Sequence, residues 1–183
     1  GLRRLPEAEV GFRKAAELNP NYADAHSNLG NVLQDQGKRD EAIESYQLAL
    51  KIKPDYANAH NNMGIVLKDQ GKRDEAIESY QRALKIKPDY ANAHNNMGIV
   101  LQDQGKSDDA IESYQRALKI KPDHAEAHTN MGNVLKDQGK LDQAIESYQR
   151  ALKIKPDHAE AEAQMLHQLS HICDWSQIDL LND

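Results

Sequence analysis

The sequence predicts an all-α solenoid of antiparallel helix pairs, and three observations carry that expectation. A block of 34 residues recurs four times, at 23–56, 57–90, 91–124 and 125–158. Two of the blocks differ only at Lys68/Gln102, Arg73/Ser107, Glu75/Asp109 and Tyr90/His124. Each block also carries one glycine (Gly37, Gly71, Gly105, Gly139) and one proline near its end (Pro54, Pro88, Pro122, Pro156). A fixed period of this length marks stacked units that bury their apolar faces against their neighbours. Such a chain presents a long repetitive surface without a single obvious pocket. Binding is therefore expected before chemistry.

Each element follows in order. Ahead of the first full block, Pro6 to Leu18 match a second helix alone, with Ala8, Phe12, Ala15 and Pro20 at the template positions, so 1–22 reads as a partial repeat. Within block 57–90, Ala59, Met63, Val66 and Leu67 fall at i, i+4, i+7 and i+8. That spacing is one stripe of a 3.6-residue helix. Gly71 stands where a left-handed residue closes the helix. Asp74 and Glu75 then place acid in the first turn of a second helix, where it complements the dipole. Ala76, Ile77, Tyr80, Ala83 and Leu84 form its apolar stripe, Lys85 and Lys87 fall in the last turn, and Pro88 prevents continuation. The short turns between helices force antiparallel pairing. After the fourth block, 159–172 match a first helix with Ala161, Met165, Leu169 and Ile172 inward. Asp174 and Gln177 are spaced as a capping pair, and Trp175, Ile178 and Leu181 begin another apolar stripe. Segment 159–183 thus reads as a capping helix and the start of a junction to a further domain. Ten or eleven helices are expected in all.

Composition narrows the partners. Twenty-three Lys+Arg against 29 Asp+Glu give a net charge of −6, the opposite of a phosphate-binding balance, so no nucleic acid is expected. The chain has no apolar run of membrane-spanning length and no signal-like start, so no membrane partner is expected either. Cys173 is the sole cysteine, which excludes an internal disulfide and suits a reducing, cytoplasmic setting. The chain opens in mid-pattern at Gly1 without a Met, and a piece of a longer protein is expected.

The template resembles the tetratricopeptide repeat. The family's small and large positions are filled by Gly30/64/98/132, Ala42/76/110/144, Tyr46/80/114/148 and Ala49/83/117/151, together with the four prolines. The usual Trp of the first helix is replaced by His26, His60, His94 and His128. The resemblance covers essentially the whole chain. It implies a right-handed superhelix whose concave face takes extended peptides.

Where a peptide would lie follows from the helical projection. Numbering each block from Ala23, Ala57, Ala91 and Ala125, positions 2, 5, 9 and 12 point away from the apolar stripe, and 6 and 13 flank them. Position 6 is Asn28, Asn62, Asn96 and Asn130, and position 13 is Asp35, Asp69, Asp103 and Asp137. A carboxamide carries both a donor and an acceptor, the combination a peptide group needs. A ladder of them can hold an extended backbone without reading its side chains. A duplicated helix surface with no ligand explains the same recurrence, and the Asp row reads equally as a solvated face or as local pairing with Lys. Position 9 adds apolar anchors at Ile65 and Ile99, flanked by Asn31 and Asn133, and position 2 adds Asn58 and Asn92. A net hydrogen bond contributes roughly 0.5–1.5 kcal/mol, whereas association costs on the order of 4–15 kcal/mol. Burying each Ile contributes up to about 1.5–3 kcal/mol. Weak peptide binding, growing with repeat number, is expected.

Other signals are weaker. The basic residues with which related arrays grip a C-terminal carboxylate are replaced by Ser27, Asn92 and Asn96. The four repeat histidines stand a repeat apart, and helix axes at about 8–10 Å do not converge on ligand distances of roughly 2 Å. They read as packing residues. His167, His171 and Cys173 offer only three candidate ligands, and helix-end packing explains them better. No acid–base constellation, nucleophile elbow or phosphate loop is present, so no catalytic residue, cofactor or metal is expected. The four tyrosines read as core filling rather than base-stacking platforms.

The segment His171-Ile172-Cys173-Asp174-Trp175-Ser176 resembles the junction where the repeats of O-linked N-acetylglucosamine transferases and SPINDLY-type bacterial proteins meet their glycosyltransferase region. That family's groove amides match Asn28, Asn62, Asn96 and Asn130. The resemblance implies an arm that captures protein substrates for an enzyme whose catalytic region lies beyond Asp183. A free-standing adaptor for multiprotein assembly is the alternative. The exposed second-helix positions are mostly Glu, Ser, Arg and Lys, so at most a weak homodimer is expected, with Trp175, Ile178 and Leu181 as its stickiest end.

Overall fold

The computed structural model describes residues 5–171, with side chains through Leu169. Ile172, Cys173, the junction segment and the stripe at Trp175, Ile178 and Leu181 lie outside the described residues. Ten helices are present among the described residues: α1 (Leu5–Leu18), α2 (Ala23–Asp35), α3 (Arg39–Ile52), α4 (Ala57–Asp69), α5 (Arg73–Ile86), α6 (Ala91–Asp103), α7 (Ser107–Ile120), α8 (Ala125–Asp137), α9 (Leu141–Ile154) and α10 (Ala159–His171). The chain divides into two compact units, Gly1–Asn96 and Met97–Asp183. In the first, α1 packs on α2, α2 on α3, α3 on α4 and α4 on α5, and α2 also touches α4. In the second, α7 packs on α8, α8 on α9 and α9 on α10, and α8 touches α10.

The glycine after each first helix turns the chain back. Gly71 has φ +77, a left-handed conformation that costs a residue with a Cβ. Its N–H reaches the Lys68 carbonyl at 2.8 Å, and the Lys72 N–H reaches the Leu67 carbonyl at 2.9 Å. This pair of bonds satisfies the last free carbonyls of α4. The next residues then enter α5, with Asp74 and Glu75 in its first turn and Lys85 in its last.

A second glycine sets how closely the two helices approach. Gly64 in α4 lies under the ring of Tyr80 in α5, and a Cβ placed there would stand 2.7 Å from Tyr80 Cε1. The same meeting recurs at Gly30/Tyr46, Gly98/Tyr114 and Gly132/Tyr148. Each Tyr is fully buried, so the largest side chain of the hairpin fills the space that glycine leaves. Ala42, Ala76, Ala110 and Ala144, also fully buried, complete this close approach. In the second unit Ala161, Met165 and Leu169 of α10 join Tyr148, Ala151 and Leu152 of α9 in one apolar cluster.

Polar bonds link one hairpin to the next. Gln70 Nε2 donates to Asp40 at 2.8 Å, and Gln138 repeats the contact with Asp108 at 2.9 Å. At the first hairpin Glu9 accepts from both Arg13 and Lys38 at 2.9 Å, and these two cations hold its carboxyl at about 2.

One sequence expectation is corrected in the second helices. Ser45, Ser79, Ser113 and Ser147 were counted with the exposed charged positions, but all four are buried. Ser45, Ser113 and Ser147 donate to the carbonyl four residues earlier, at 2.8–2.9 Å. A hydroxyl satisfied by its own helix needs no water, so Ser belongs to the packed side.

Candidate functional site

The first helices of unit 1 hold the candidate amides at differing exposure. Asn28, Asn62 and Asn96 are half-buried, as are Asn31 and Ile65, while Asn58, Asn92, Asp35 and Asp69 are exposed. The amides are wired to one another. Asn96 Nδ2 donates to Asn61 Oδ1 at 3.2 Å, and Asn61 Nδ2 donates to Asn62 Oδ1 at 3.0 Å. Asn62 Nδ2 then donates to Asn31 Oδ1 at 2.9 Å. This chain of carboxamides crosses α6, α4 and α2. A carboxamide has two N–H donors and two acceptor lone pairs, so Asn62 keeps one of each for a ligand. The chain orients that remainder.

Asn61 was the residue that sequence reasoning misplaced. Position 5 was expected to point away from the core, yet Ser27, Asn61, Asn95 and Thr129 are all buried, Asn61 at 4% exposure. The helical projection assumed a single covered stripe. A first helix inside a stack is also covered by the turn that leaves its own block: Thr129 Oγ1 meets His158 Nε2 at 3.4 Å, and Ser27 lies against Tyr56.

In unit 2, Asn130 and Ile99 are half-buried, and Asp103 and Asp137 are exposed. Asn133 is engaged at both ends of its amide. It accepts from the Tyr148 hydroxyl at 2.8 Å and donates to Glu160 of α10 at 3.2 Å. The Asp row pairs locally where a Lys precedes it, at 3.3 Å for Lys68–Asp69 and 3.6 Å for Lys136–Asp137.

The tyrosines reach further than core filling. Tyr46 donates to Asn31 Oδ1 at 2.8 Å and lies 3.0 Å from Gln34 Oε1. Tyr114 donates to Gln102 Oε1 at 3.1 Å. Position 9 or 12 thus supplies a partner to the hydroxyls of Tyr46, Tyr114 and Tyr148. In block 57–90 these positions are Ile65 and Lys68, and the Tyr80 hydroxyl is buried without a hydrogen-bond partner. Burial pushes all four phenols up. The signal was in the sequence, because an amide stands at position 9 or 12 of every block except this one.

The repeat histidines tie the connecting turns to the first helices. His26, His60, His94 and His128 each place Nε2 3.0–3.1 Å from the carbonyl of the proline six residues earlier. A carbonyl only accepts, so Nε2 carries the proton and Nδ1 is bare in the neutral ring. In His60 and His128 that Nδ1 is buried without a partner. Burial first, and the fields of Arg82 and Arg150 as well, press these imidazoles below their ordinary pKa against the contrary pull of the proline carbonyls. Among the described residues, no group of three or more His, Cys, Asp or Glu is arranged to hold a metal ion. Nor is any helix of the described residues long and apolar enough to cross a membrane.

Comparison with known proteins agrees with this geometry. The tetratricopeptide repeat model matches residues 21–89, 55–123 and 89–157, and a TPR repeat model matches 4–37. No curated protein sequence matches the chain. Among solved structures, MamA is similar at 27% identity and a TM-score of 0.77, over 85% of this chain and 91% of that one. YrrB, described as a TPR protein with an unusual peptide-binding site, is similar at 26% identity and a TM-score of 0.73, over 89% and 84%. Pseudomonas aeruginosa PilF shares the fold at 24% identity and a TM-score of 0.87, over 98% and 83%. With matches that span 21–157 and glycine–tyrosine hairpins throughout, the chain belongs to the tetratricopeptide repeat family.

Proposed function

We propose that the first-helix face binds extended protein segments, and that the array recruits protein substrates for an O-linked N-acetylglucosamine transferase-like enzyme. The observation that carries the binding reading is the half-exposed carboxamide row held in place by its own hydrogen-bond chain, with Asn62 oriented through Asn61 and Asn31. An amide fixed before the ligand arrives loses little freedom on binding, which lowers the association cost. The peptide-binding site named for YrrB, a similar fold, supports the same reading. Asn28, Asn62, Asn96 and Asn130 are the rungs for the ligand backbone. Ile65 and Ile99 offer apolar contact, Asn31 anchors the Asn62 rung, Asn133 stands beside the row on Tyr148 and Glu160, and Asp35, Asp69, Asp103, Asp137, Asn58 and Asn92 form the polar margin. No residue of the chain is assigned a catalytic step. Binding far from the chemistry raises the local concentration of many different segments at an attached enzyme.

The test is binding of the wild-type chain to an array of unstructured 15-residue peptides, beside an Asn28/Asn62/Asn96/Asn130→Ala variant and Ile65→Asn/Ile99→Asn. Loss of most signals in the first and of the apolar-rich peptides in the second is expected. Unchanged profiles would reject the groove. The transferase link is checked separately, by sequencing the parent gene past Asp183; a stop codon or an unrelated domain there removes it. An adaptor with no enzyme attached is the second reading. It draws support from MamA and YrrB, of whose chains the matched array makes up 91% and 84%.

A further inference from the structure

Unit 1 also carries a cleft on the side of the second helices. It opens between α3 and α5 with α4 as its floor. Leu50, Met63 and Ile86 line it with apolar surface, and Lys51, Arg82 and Lys85 line it with charge. Ile86 is 38% exposed, an apolar side chain that the chain leaves open to water. Lys51 and Lys85 form no salt bridge among the described residues, while Arg82 pairs with Glu78 one turn earlier.

The charge balance is positive in a chain whose net charge is −6. Lys51 and Lys85 stand in the last turns of α3 and α5, where each helix end carries roughly half a negative charge. Three cations set against two such ends and Glu78 leave a surplus of about one positive charge. The neighbouring cleft between α1 and α3, over α2, opens nearer the start of α3 and is acidic. Glu17, Glu41 and Glu44 line it, with Arg13 as its one cation, and Arg13 is held by Glu9 and Glu41. One repeat earlier, Glu17 stands at the position of Lys51 and Leu48 at that of Arg82, while Lys51 itself stands at that of Lys85, so of these two clefts only the one between α3 and α5 has two of the three cations.

The same residue types return in unit 2. Leu118, Lys119 and Met131 stand at the positions of Leu50, Lys51 and Met63, and Arg150, Lys153 and Ile154 at those of Arg82, Lys85 and Ile86. Ile154 is 38% exposed, as Ile86 is. His128 feels Arg150 as His60 feels Arg82, so the cation stands over the same floor.

We propose that each of these clefts docks an amphipathic helix of a partner protein, with its apolar stripe on the Leu–Met–Ile floor and glutamates or aspartates facing the Lys–Arg–Lys rim. A cleft between two helices accepts a third by ridges-into-grooves packing, and helix-in-groove recognition reads apolar anchors one and two turns apart. Opposite charge on the rim speeds encounter and fixes orientation. This surface lies apart from the first-helix face, so one array can hold an extended segment and a helical partner together.

The experiment uses the full chain carrying methyl-13C methionine and a hydrocarbon-stapled 14-residue helix with Leu at i, i+4, i+7 and i+11, flanked by Glu. A second helix with Lys in place of Glu is the control. The Glu helix should shift the methyl signals of Met63 and Met131 and leave Met165 in place. Lys51→Glu/Lys85→Glu should weaken the Met63 response at least tenfold and spare that of Met131. Raising salt from about 50 to 500 mM should weaken both, because exposed charges are screened. Silent Met63 and Met131 signals, equal shifts with the Lys helix, or an unchanged response after charge reversal would each overturn the proposal. Circular dichroism of the charge-reversed variant keeps misfolding separate from lost docking.

Discussion

The Tyr46 hydroxyl donates to Asn31 Oδ1 at 2.8 Å, and through that atom a core side chain of the second helix is joined to the groove amides of the first. Asn31 Oδ1 receives Asn62 Nδ2 as well, so one oxygen holds a core residue and a ladder rung together. Tyr148 and Asn133 repeat the contact at 2.8 Å. Tyr80 has no such partner, because Ile65 stands where Asn31 and Asn133 stand in their blocks.

Removing a tyrosine hydroxyl should therefore have opposite consequences in two repeats. Tyr46→Phe loses a made bond and is expected to cost about 1 kcal/mol. Tyr80→Phe removes a buried hydroxyl that is unpaired and should be neutral or stabilising. Urea denaturation of both variants checks this, and equal losses would show that Tyr80 is satisfied in solution.

Two glycines of one hairpin should fail for different reasons. Gly64→Ala drives a Cβ to 2.7 Å from the buried Tyr80 ring, and such overpacking typically costs about 1–3 kcal/mol. Gly71→Ala meets nothing within 4 Å but must hold φ near +77, a cost of about 1 kcal/mol. Tyr80→Leu combined with Gly64→Ala should recover part of the first loss and none of the second. Thermal melts of the single and double variants give the comparison.

Acid should weaken the fold through its buried histidines. His60 and His128 have folded pKa values below that of the free side chain, about 6.5. Below that pH the unfolded chain takes up protons that the folded chain refuses, so stability falls on acidification and is level above it. Stability should be full at pH 7.5 and lower at pH 5.5. His60→Asn/His128→Asn should flatten the profile between those values in urea midpoints. A wild-type midpoint that rises toward pH 5.5 would contradict the burial argument.

Asn61 should matter more than its exposed neighbour. Asn61→Ala removes a donor to Asn62 and an acceptor from Asn96, with an expected cost of about 1–2 kcal/mol. Asn58→Ala, on the exposed side of the same helix, should stay within about 0.5 kcal/mol. In peptide binding, Asn61→Ala is expected to mimic loss of Asn62, since the rung loses its orientation. Amide exchange and peptide titration on the two variants separate these effects.

Much of the architecture could be read directly from the residues. Gly71 and Pro88 punctuate a hairpin whose helices run Ala57–Asp69 and Arg73–Ile86, and Ala59, Met63 and Val66 are buried as their spacing requires. The candidate site was legible in part. Asn62 and Ile65 are half-exposed, but Asn61, read as pointing away from the core, is buried, and the serines of the second helices were read as surface. In each case the projection of one helix counted one covered face, where a stacked helix has two.

The sequence alone determined which helices form and where they turn, because these depend on local conformation and on a period that every block repeats. Only the tertiary structure decided that Asn96, Asn61, Asn62 and Asn31 form one hydrogen-bonded chain, that the Tyr80 hydroxyl is left unpaired, and that Lys51 and Lys85 share one cleft. Those relations join side chains about one repeat apart or set by unlike neighbours. Their geometry is fixed by how hairpins pack, a quantity that no single helical wheel contains.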